Sequence, residues 1–229
     1  MMNTKYDWLL FDADNTLFDF NAAEAHSLEQ TLATTDIEWS EEVLGIYREI
    51  NHQAWTDYEA GKLSKDRIRH LRFEQLLERF RSAYDPVGLS EAYRQGLASS
   101  THLMPGCINV LNALQGNYRL GLITNGLVEV QYPRLAATGI DRYFEVITVS
   151  DEIGIAKPHA GFFDHAFNEM KQTNRERVLV IGDNPNADIG GALAYGAHAC
   201  WMKLPGVVKK PPQQPQYEAS ALVELLDFL

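Results

Sequence analysis

A chain of 229 residues with 45% hydrophobic and 22% charged side chains can bury roughly 70% of its unfolded surface, so neither a disulfide nor a structural metal is needed to hold a core together. Its 20 basic and 31 acidic residues give a formal net charge of -11, which repels phosphate backbones and anionic bilayers and argues against a nucleic-acid polymer or a membrane surface as partner. Two cysteines, Cys107 and Cys200, lack paired metal-ligand spacing and suit a reducing compartment as small buried hydrophobes.

The amino terminus carries Lys5, Asp7, Asp12 and Asp14 in place of the basic region and apolar run of a secretory signal, so a cytoplasmic protein is expected. Residues 6–11, Tyr-Asp-Trp-Leu-Leu-Phe, predict a strand that runs straight into Asp12. Strand signals then vanish from 19 to about 100. Val43, Leu44, Tyr47, Ile50, Trp55 and Tyr58 keep an approximately helical period, as do Ile68, Leu71, Leu76, Leu77 and Phe80. Ser40 and Ser64 stand at N-cap positions, and Gly61 separates the two segments. The longest stretch free of formal charge, 95–118, is polar and broken by Pro105, unlike a membrane span.

Beyond residue 100, strand-like runs at 118–123, 144–149, 177–181 and 197–202 alternate with helix-length segments at 106–114, 128–137, 160–170 and 187–195. Gly139 and Gly196 are placed as helix stops. This alternation predicts an α/β fold built on a doubly wound parallel sheet. The first strand cannot form a sheet alone, so its partners come from beyond residue 100, and the intervening segment must leave and return near its end. The expected division is a core of residues 1–18 and 101–229 with an all-helical cap of residues 19–100. Residues 205–216, rich in Pro and Gln and carrying Lys209 and Lys210, read as an irregular excursion. Residues 218–229 read as a closing helix with Leu222, Leu225, Leu226 and Leu229 on one stripe.

Open α/β sheets bind ligands at the carboxyl ends of their strands. Those ends carry Asp12-Ala13-Asp14-Asn15-Thr16, then Thr124-Asn125-Gly126, then Lys157-Pro158 after a short loop, and Gly182-Asp183-Asn184 with Asp188 further on. Clustered carboxylates with a single lysine carry excess negative charge whose burial calls for a counter-ion. A hard divalent cation suits oxygen ligands, Mg²⁺ first with Mn²⁺ as an alternative. Lys157 and the Thr124 hydroxyl then remain as donors for phosphoryl oxygens. No Gly-rich nucleotide loop and no His-x-x-x-His pair is present.

These four motifs, in this order, resemble the haloacid dehalogenase superfamily, and the segment after the first motif resembles that family's small cap. The run Asp12-Ala13-Asp14-Asn15-Thr16-Leu17 with Thr124-Asn125-Gly126 is most similar to its pyrimidine 5'-nucleotidases. The resemblance implies a Mg²⁺-dependent phosphatase in which Asp12 is the nucleophile and Asp14 the general acid and base. It implies Asp12 and Asp183 as metal ligands by side chain and Asp14 by its backbone carbonyl, with Asp188 in support. Thr124 and Lys157 would bind the phosphoryl group with the Asn125 N–H assisting, and Thr16 would support the turn. A carboxylate at Asp14 disfavours the dehalogenase branch, because halide leaves without a proton.

Substrate choice is expected from the cap and the first loop, with Phe18, Phe20 and Asn21 as the foremost contacts and the cap aromatics Trp55 and Tyr58 either stacking on a base or, the favoured reading, filling the cap core. The expected partner is a small phosphate monoester, foremost a nucleoside 5'-monophosphate. A phosphoglycolate or sugar phosphate phosphatase and a non-catalytic phospholigand-binding protein stand as alternatives, and the oligomeric state is open. Lys62 to Arg81 hold seven basic and three acidic residues, read as a solvated helix face.

Overall fold

The computed structural model describes residues 5–205 and 210–229. Within them, strands β1 (Trp8–Phe11), β2 (Arg119–Thr124), β3 (Val146–Val149), β4 (Val178–Gly182), β5 (His198–Met202) and β6 (Tyr217–Ala219) form one parallel sheet. Their order is β3-β2-β1-β4-β5-β6, so the winding changes direction at β1. Alternate residues of β1 serve opposite faces. Leu9 and Phe11 join Leu120, Leu122 and Ile181 on one side, whereas Trp8 and Leu10 join Val178, Val180 and Phe162 on the other. Burial on both faces is why these strands read as continuous apolar runs.

Five helices separate β1 from β2: α1 (Phe20–Leu32), α2 (Glu41–Glu59), α3 (Lys65–Phe80), α4 (Pro86–Ser99) and α5 (Cys107–Leu114). Then α6 (Val128–Thr138) follows β2, α7 (Ser150–Ile153) and α8 (Ala160–Met170) follow β3, and α9 (Gly191–Tyr195) follows β4. Side-chain oxygens of Asp19, Ser40, Ser64 and Asp85 cap α1 to α4, which stops each helix at a defined residue. The apolar faces of α1 to α4 build a third core, with Leu28, Tyr47, Phe73 and Tyr93 at its centre, and this core closes on Leu127 and Val130 at the start of α6. The helical segment is thereby seated on the helix that begins right after the carboxyl end of β2.

The carboxyl terminus departs from the expected helix. Tyr217–Ala219 instead pair with Cys200, Trp201 and Met202, satisfying the otherwise open edge of β5. A short 3₁₀ helix, Leu222–Asp227, follows. Three residues per turn align Leu222 with Leu225, both buried, and turn Leu226 out to solvent. Residues 187–195 also start differently, as a π-helical run Pro185–Gly190 ahead of α9. Pro205 and residues 210–216 form neither helix nor strand, and the part of that excursion holding Lys209 lies outside the described residues.

Candidate active site

The strands end level. Phe11 is in register with Leu122 and with Ile181, so Asp12, Ile123 with Thr124, and Gly182 with Asp183 emerge along one edge. The Asp12 backbone N–H donates to the Ile181 carbonyl (2.8 Å), continuing the ladder by one residue. Lys157 arrives from the loop between α7 and α8. The Asn125 side chain fixes it there by accepting from the Lys157 N–H and donating to its carbonyl, both at 2.9 Å.

From that anchor the Lys157 ammonium donates to Asp12 Oδ1 (2.7 Å), Asp188 Oδ1 (2.7 Å) and the Ile123 carbonyl (2.9 Å), spending all three of its donors. The other Asp188 oxygen accepts from the Asn184 N–H (3.0 Å). Gly182 is required here, since a Cβ would collide with the Asp188 carboxylate. One oxygen each from Asp12, Asp183 and Asp188 can be chosen so that all lie within 4.8 Å of one another.

Three acids around one lysine leave the cluster over-negative, and the protonation equilibria reflect it. Burial first, then the Asp188 charge, pushes the Asp12 carboxyl up to about 7 against the pull of Lys157. Burial and the Asp12 charge hold Asp183 well above the ordinary carboxylate range. Burial alone would lower Lys157, but Asp12 and Asp188 overturn that and keep the amine firmly charged. An all-oxygen, over-negative donor set is the kind that Mg²⁺ and Mn²⁺ take, so the residues fit such an ion. The sequence placed Asp188 in support, whereas its carboxylate lies within the three-acid group itself.

Asp14 points elsewhere, towards α6. Its Oδ1 accepts from Arg134 Nη1 (2.6 Å) and its Oδ2 from Gln131 Nε2 (2.7 Å). Neither partner was foreseen in the sequence. The available signal was a polar pair three residues apart on the same helix face as Val130 and Leu135, where an apolar stripe was due.

The remaining expected residues divide. Thr124 is buried, and its hydroxyl oxygen accepts from the Gly126 N–H (3.0 Å). Thr16 is buried and its hydroxyl has no hydrogen-bond partner among the described residues, so it fills the turn and does not bond across it. A cavity of about 590 Å³ opens over the acidic cluster, and Asp12, Asp14, Lys157 and Asp183 form its floor. Phe20 lines it as expected. Phe18 does not, because its ring is fully buried beneath the Arg134 guanidinium (4.1 Å to the ring centroid). Asn21 is also off the cavity. It is exposed on α1, with its carbonyl accepting from Arg48 Nη2 (3.2 Å).

The upper walls come from α2, α3 and α4 through Asn51, Trp55, Arg72, Arg94 and Leu97. Trp55, expected as core filling, is half-buried and faces the cavity, with Tyr58 edge-on to it. The basic stretch of α3 is ion-paired: Arg67 with Glu74, and Arg69 with Asp66, Glu129 and Asp151. Lys65 Nζ donates to the Gly126 carbonyl (3.0 Å) and Ser150 Oγ (2.7 Å), tying α3 to the loop that follows β2. His159 caps α8, as a helix-start residue should. Among the described residues no helix is long and apolar enough to cross a membrane.

Comparison with known proteins points the same way as the geometry. Residues 6–196 match the haloacid dehalogenase-like hydrolase family. The chain is 34% identical over 225 residues to the pyrimidine 5'-nucleotidase YjjG of Escherichia coli, covering 98% of each chain. It is 32% identical over 225 residues to the pyrimidine 5'-nucleotidase PynA of Streptococcus pneumoniae, covering 98% of this chain and 95% of that one. The crystal structure of the HAD-hydrolase YfnB from Bacillus subtilis bound to magnesium superposes with a TM-score of 0.91 at 33% identity, over 98% of both chains.

Proposed function

The chain belongs to the haloacid dehalogenase-like hydrolases, and from that footing we propose that it is a Mg²⁺-dependent phosphatase acting on nucleoside 5'-monophosphates, foremost those of pyrimidines. The observation that carries the reading is the Lys157 ammonium held 2.7 Å from both Asp12 and Asp188, with Asp183 beside them on the floor of a nucleotide-sized cavity. The pyrimidine preference is drawn from the relatives YjjG and PynA.

In this mechanism an Asp12 oxygen attacks phosphorus, the bond to the ester oxygen breaks, and Asp14 supplies the proton that the leaving alkoxide takes up. Water then attacks the aspartyl-phosphate while Asp14 recovers the proton, and inorganic phosphate leaves with Asp12 restored. Lys157 orients the Asp12 carboxylate and offsets its charge as the anionic substrate approaches. Thr124 and the N–H groups of its loop stand at the edge where phosphoryl oxygens would dock. Asp12 and Asp183, with the Asp14 carbonyl and Asp188 close by, would hold Mg²⁺, which when bound neutralises phosphoryl charge. The aromatic faces of Phe20 and Trp55 offer surfaces for a base. The binding sites of the core and the helical segment 19–100, which we assign as a separate cap domain, would together enclose the substrate.

The test is a panel of phosphate monoesters with Mg²⁺: pyrimidine and purine monophosphates, phosphoglycolate and sugar phosphates. Preference for pyrimidine monophosphates, lost in Asp12→Asn, is the expected result. Preference for phosphoglycolate or a sugar phosphate would replace the substrate, and phosphate binding without turnover in the folded wild type would replace the enzyme by a binding protein.

A further inference from the structure

The contacts of Asp14 are the least ordinary feature of the molecule. Arg134 lies on α6 with no exposed surface, and among the described residues Asp14 is its one ion-pair partner. Its Nε and Nη2 are buried without hydrogen-bond partners among the described residues, and its guanidinium lies over the Phe18 ring. An arginine kept inside for packing alone ordinarily has its donors satisfied, and replacing a buried ion pair by hydrophobic residues is often neutral or stabilising. Gln131, one turn earlier on α6, is equally buried and spends its amide on the second Asp14 oxygen. Gly126 makes room for it, since a Cβ there would collide with the Gln131 amide. A loop glycine, an aromatic ring and a buried cation thus all bear on the direction of one carboxylate whose side chain is otherwise partly open to the cavity.

We propose that Gln131 and Arg134 are positioning residues for the proton-transfer step, a paired clamp on α6 that sets where the Asp14 carboxylate points when the ester oxygen leaves. The proposal rests on the reading of Asp14 as the acid. Neither clamp residue need touch substrate for this role. Without the clamp, Asp14 samples other side-chain rotamers, and the fraction of bound substrate that finds the acid in reach falls.

The leaving group separates this role from a structural one. The value of kcat/KM covers steps up to expulsion of the alcohol, and a good leaving group such as p-nitrophenolate departs without a proton, whereas a nucleoside alkoxide needs one. We therefore compare kcat/KM for p-nitrophenyl phosphate and uridine 5'-monophosphate in wild type, Asp14→Asn, Gln131→Met, Arg134→Met and the Asp14→Asn/Arg134→Met double variant, each checked for folding by thermal melting. The expected loss on the nucleotide is about 10- to 100-fold for Arg134→Met and about 3- to 10-fold for Gln131→Met, each several times the loss on the aryl ester. Asp14→Asn shows the same asymmetry more strongly, and the double variant is no more asymmetric than Asp14→Asn.

Equal losses on the two esters in both clamp variants, alongside a clear asymmetry in Asp14→Asn, overturn the clamp and leave the acid assignment standing. Absence of asymmetry in Asp14→Asn removes the acid assignment and the clamp with it. Should Arg134→Met fail to fold, Gln131→Met alone decides, asymmetry supporting the proposal and equal loss defeating it.

Discussion

The two walls of the cavity both bury carboxylates, and they handle them in opposite ways. In the helical wall Glu24 is buried, and it is met on each oxygen: Arg48 Nε at 2.8 Å and Asn51 Nδ2 at 3.1 Å, with Arg72 in turn donating to Asn51 (2.8 Å). At the sheet edge Asp12, Asp183 and Asp188 cluster together, and the one lysine beside them pairs with Asp12 and Asp188. Burial raises Glu24 somewhat, with Arg48 opposing it, whereas at Asp12 burial and a second acid act together. In the helical wall the bonds among Glu24, Arg48, Asn51 and Arg72 form a satisfied network that fixes shape. The sheet edge stores electrostatic conflict, which is where chemistry and a counter-ion belong.

The sharpest way to break that contrast is Asp12→Asn. Turnover should fall by at least about 10³-fold, as expected when a nucleophile is lost. Stability should move the other way in metal-free protein. Asp12 sits at about 7 in the folded state, against about 3.9 for a free aspartate. The folded state therefore binds this proton more tightly than the unfolded one. The stability it confers is complete below about pH 4 and is lost as pH rises to about 7. Chelated wild type should lose on the order of 4 kcal/mol from this carboxyl across that window, and Asp12→Asn should lose less, keeping only what Asp183 contributes. Urea titrations at several pH values read this directly, and a wild type as flat as the variant would remove the conflict from Asp12.

Divalent ions offer the next largest effect. Chelation should abolish turnover, and Mg²⁺ should restore it. Mg²⁺ at about 100 times its dissociation constant should stabilise the fold by about 2.7 kcal/mol. Asp183→Asn should lose most of that thermal shift, whereas a comparable change in the helical wall, Glu24→Gln, should keep it. A shift surviving Asp183→Asn would move the ion away from the three-acid cluster.

This difference between the walls also explains what the sequence could and could not reveal. At the sheet edge each strand announces itself by an apolar run, and the residue that follows is chemically conspicuous, so Asp12, Thr124, Lys157 and Asp183 could be placed on one rim from the chain alone. The parallel register then did the rest, because Phe11, Leu122 and Ile181 are level. The partners of Asp14 were hidden because Gln131 and Arg134 sit one to two turns inside a helix, where polar residues ordinarily face solvent. Trp55 and Phe18 exchanged roles for a related reason. Helical period tells which residues share a face, but whether that face meets a core or a cavity depends on how α2 is seated over the sheet. The carboxyl-terminal leucines kept a helical spacing that the free edge of β5 overrode, since three residues of strand leave almost no pattern to read.

Trp55 tests whether the helical wall also selects. Trp55→Ala removes an aromatic surface facing the cavity and leaves the acidic floor untouched. For a nucleoside monophosphate KM should rise about tenfold with kcat within about threefold, the pattern of lost uniform binding. Inorganic phosphate inhibition should hardly change. A fall in kcat with KM unchanged would place Trp55 in the chemistry instead.

The smallest effects come from the three neighbours Phe18, Phe20 and Asn21, and they resolve the contrast residue by residue. Phe20 lines the cavity, so Phe20→Leu should raise KM a few-fold at little cost in stability. Phe18 is sealed under the Arg134 guanidinium, so Phe18→Leu should cost about 1–2 kcal/mol through lost packing and cation–π contact. Asn21 is exposed, and the contact it makes to Arg48 runs through its backbone carbonyl. Asn21→Ala keeps that carbonyl and should stay within about 0.5 kcal/mol of wild type. Three responses of different kinds, in KM, in melting temperature and in neither, follow from where the chain entering α1 aims its side chains. If Asn21→Ala instead changed KM as much as Phe20→Leu, the cavity would have to reach past Phe20 to the Asn21 side chain.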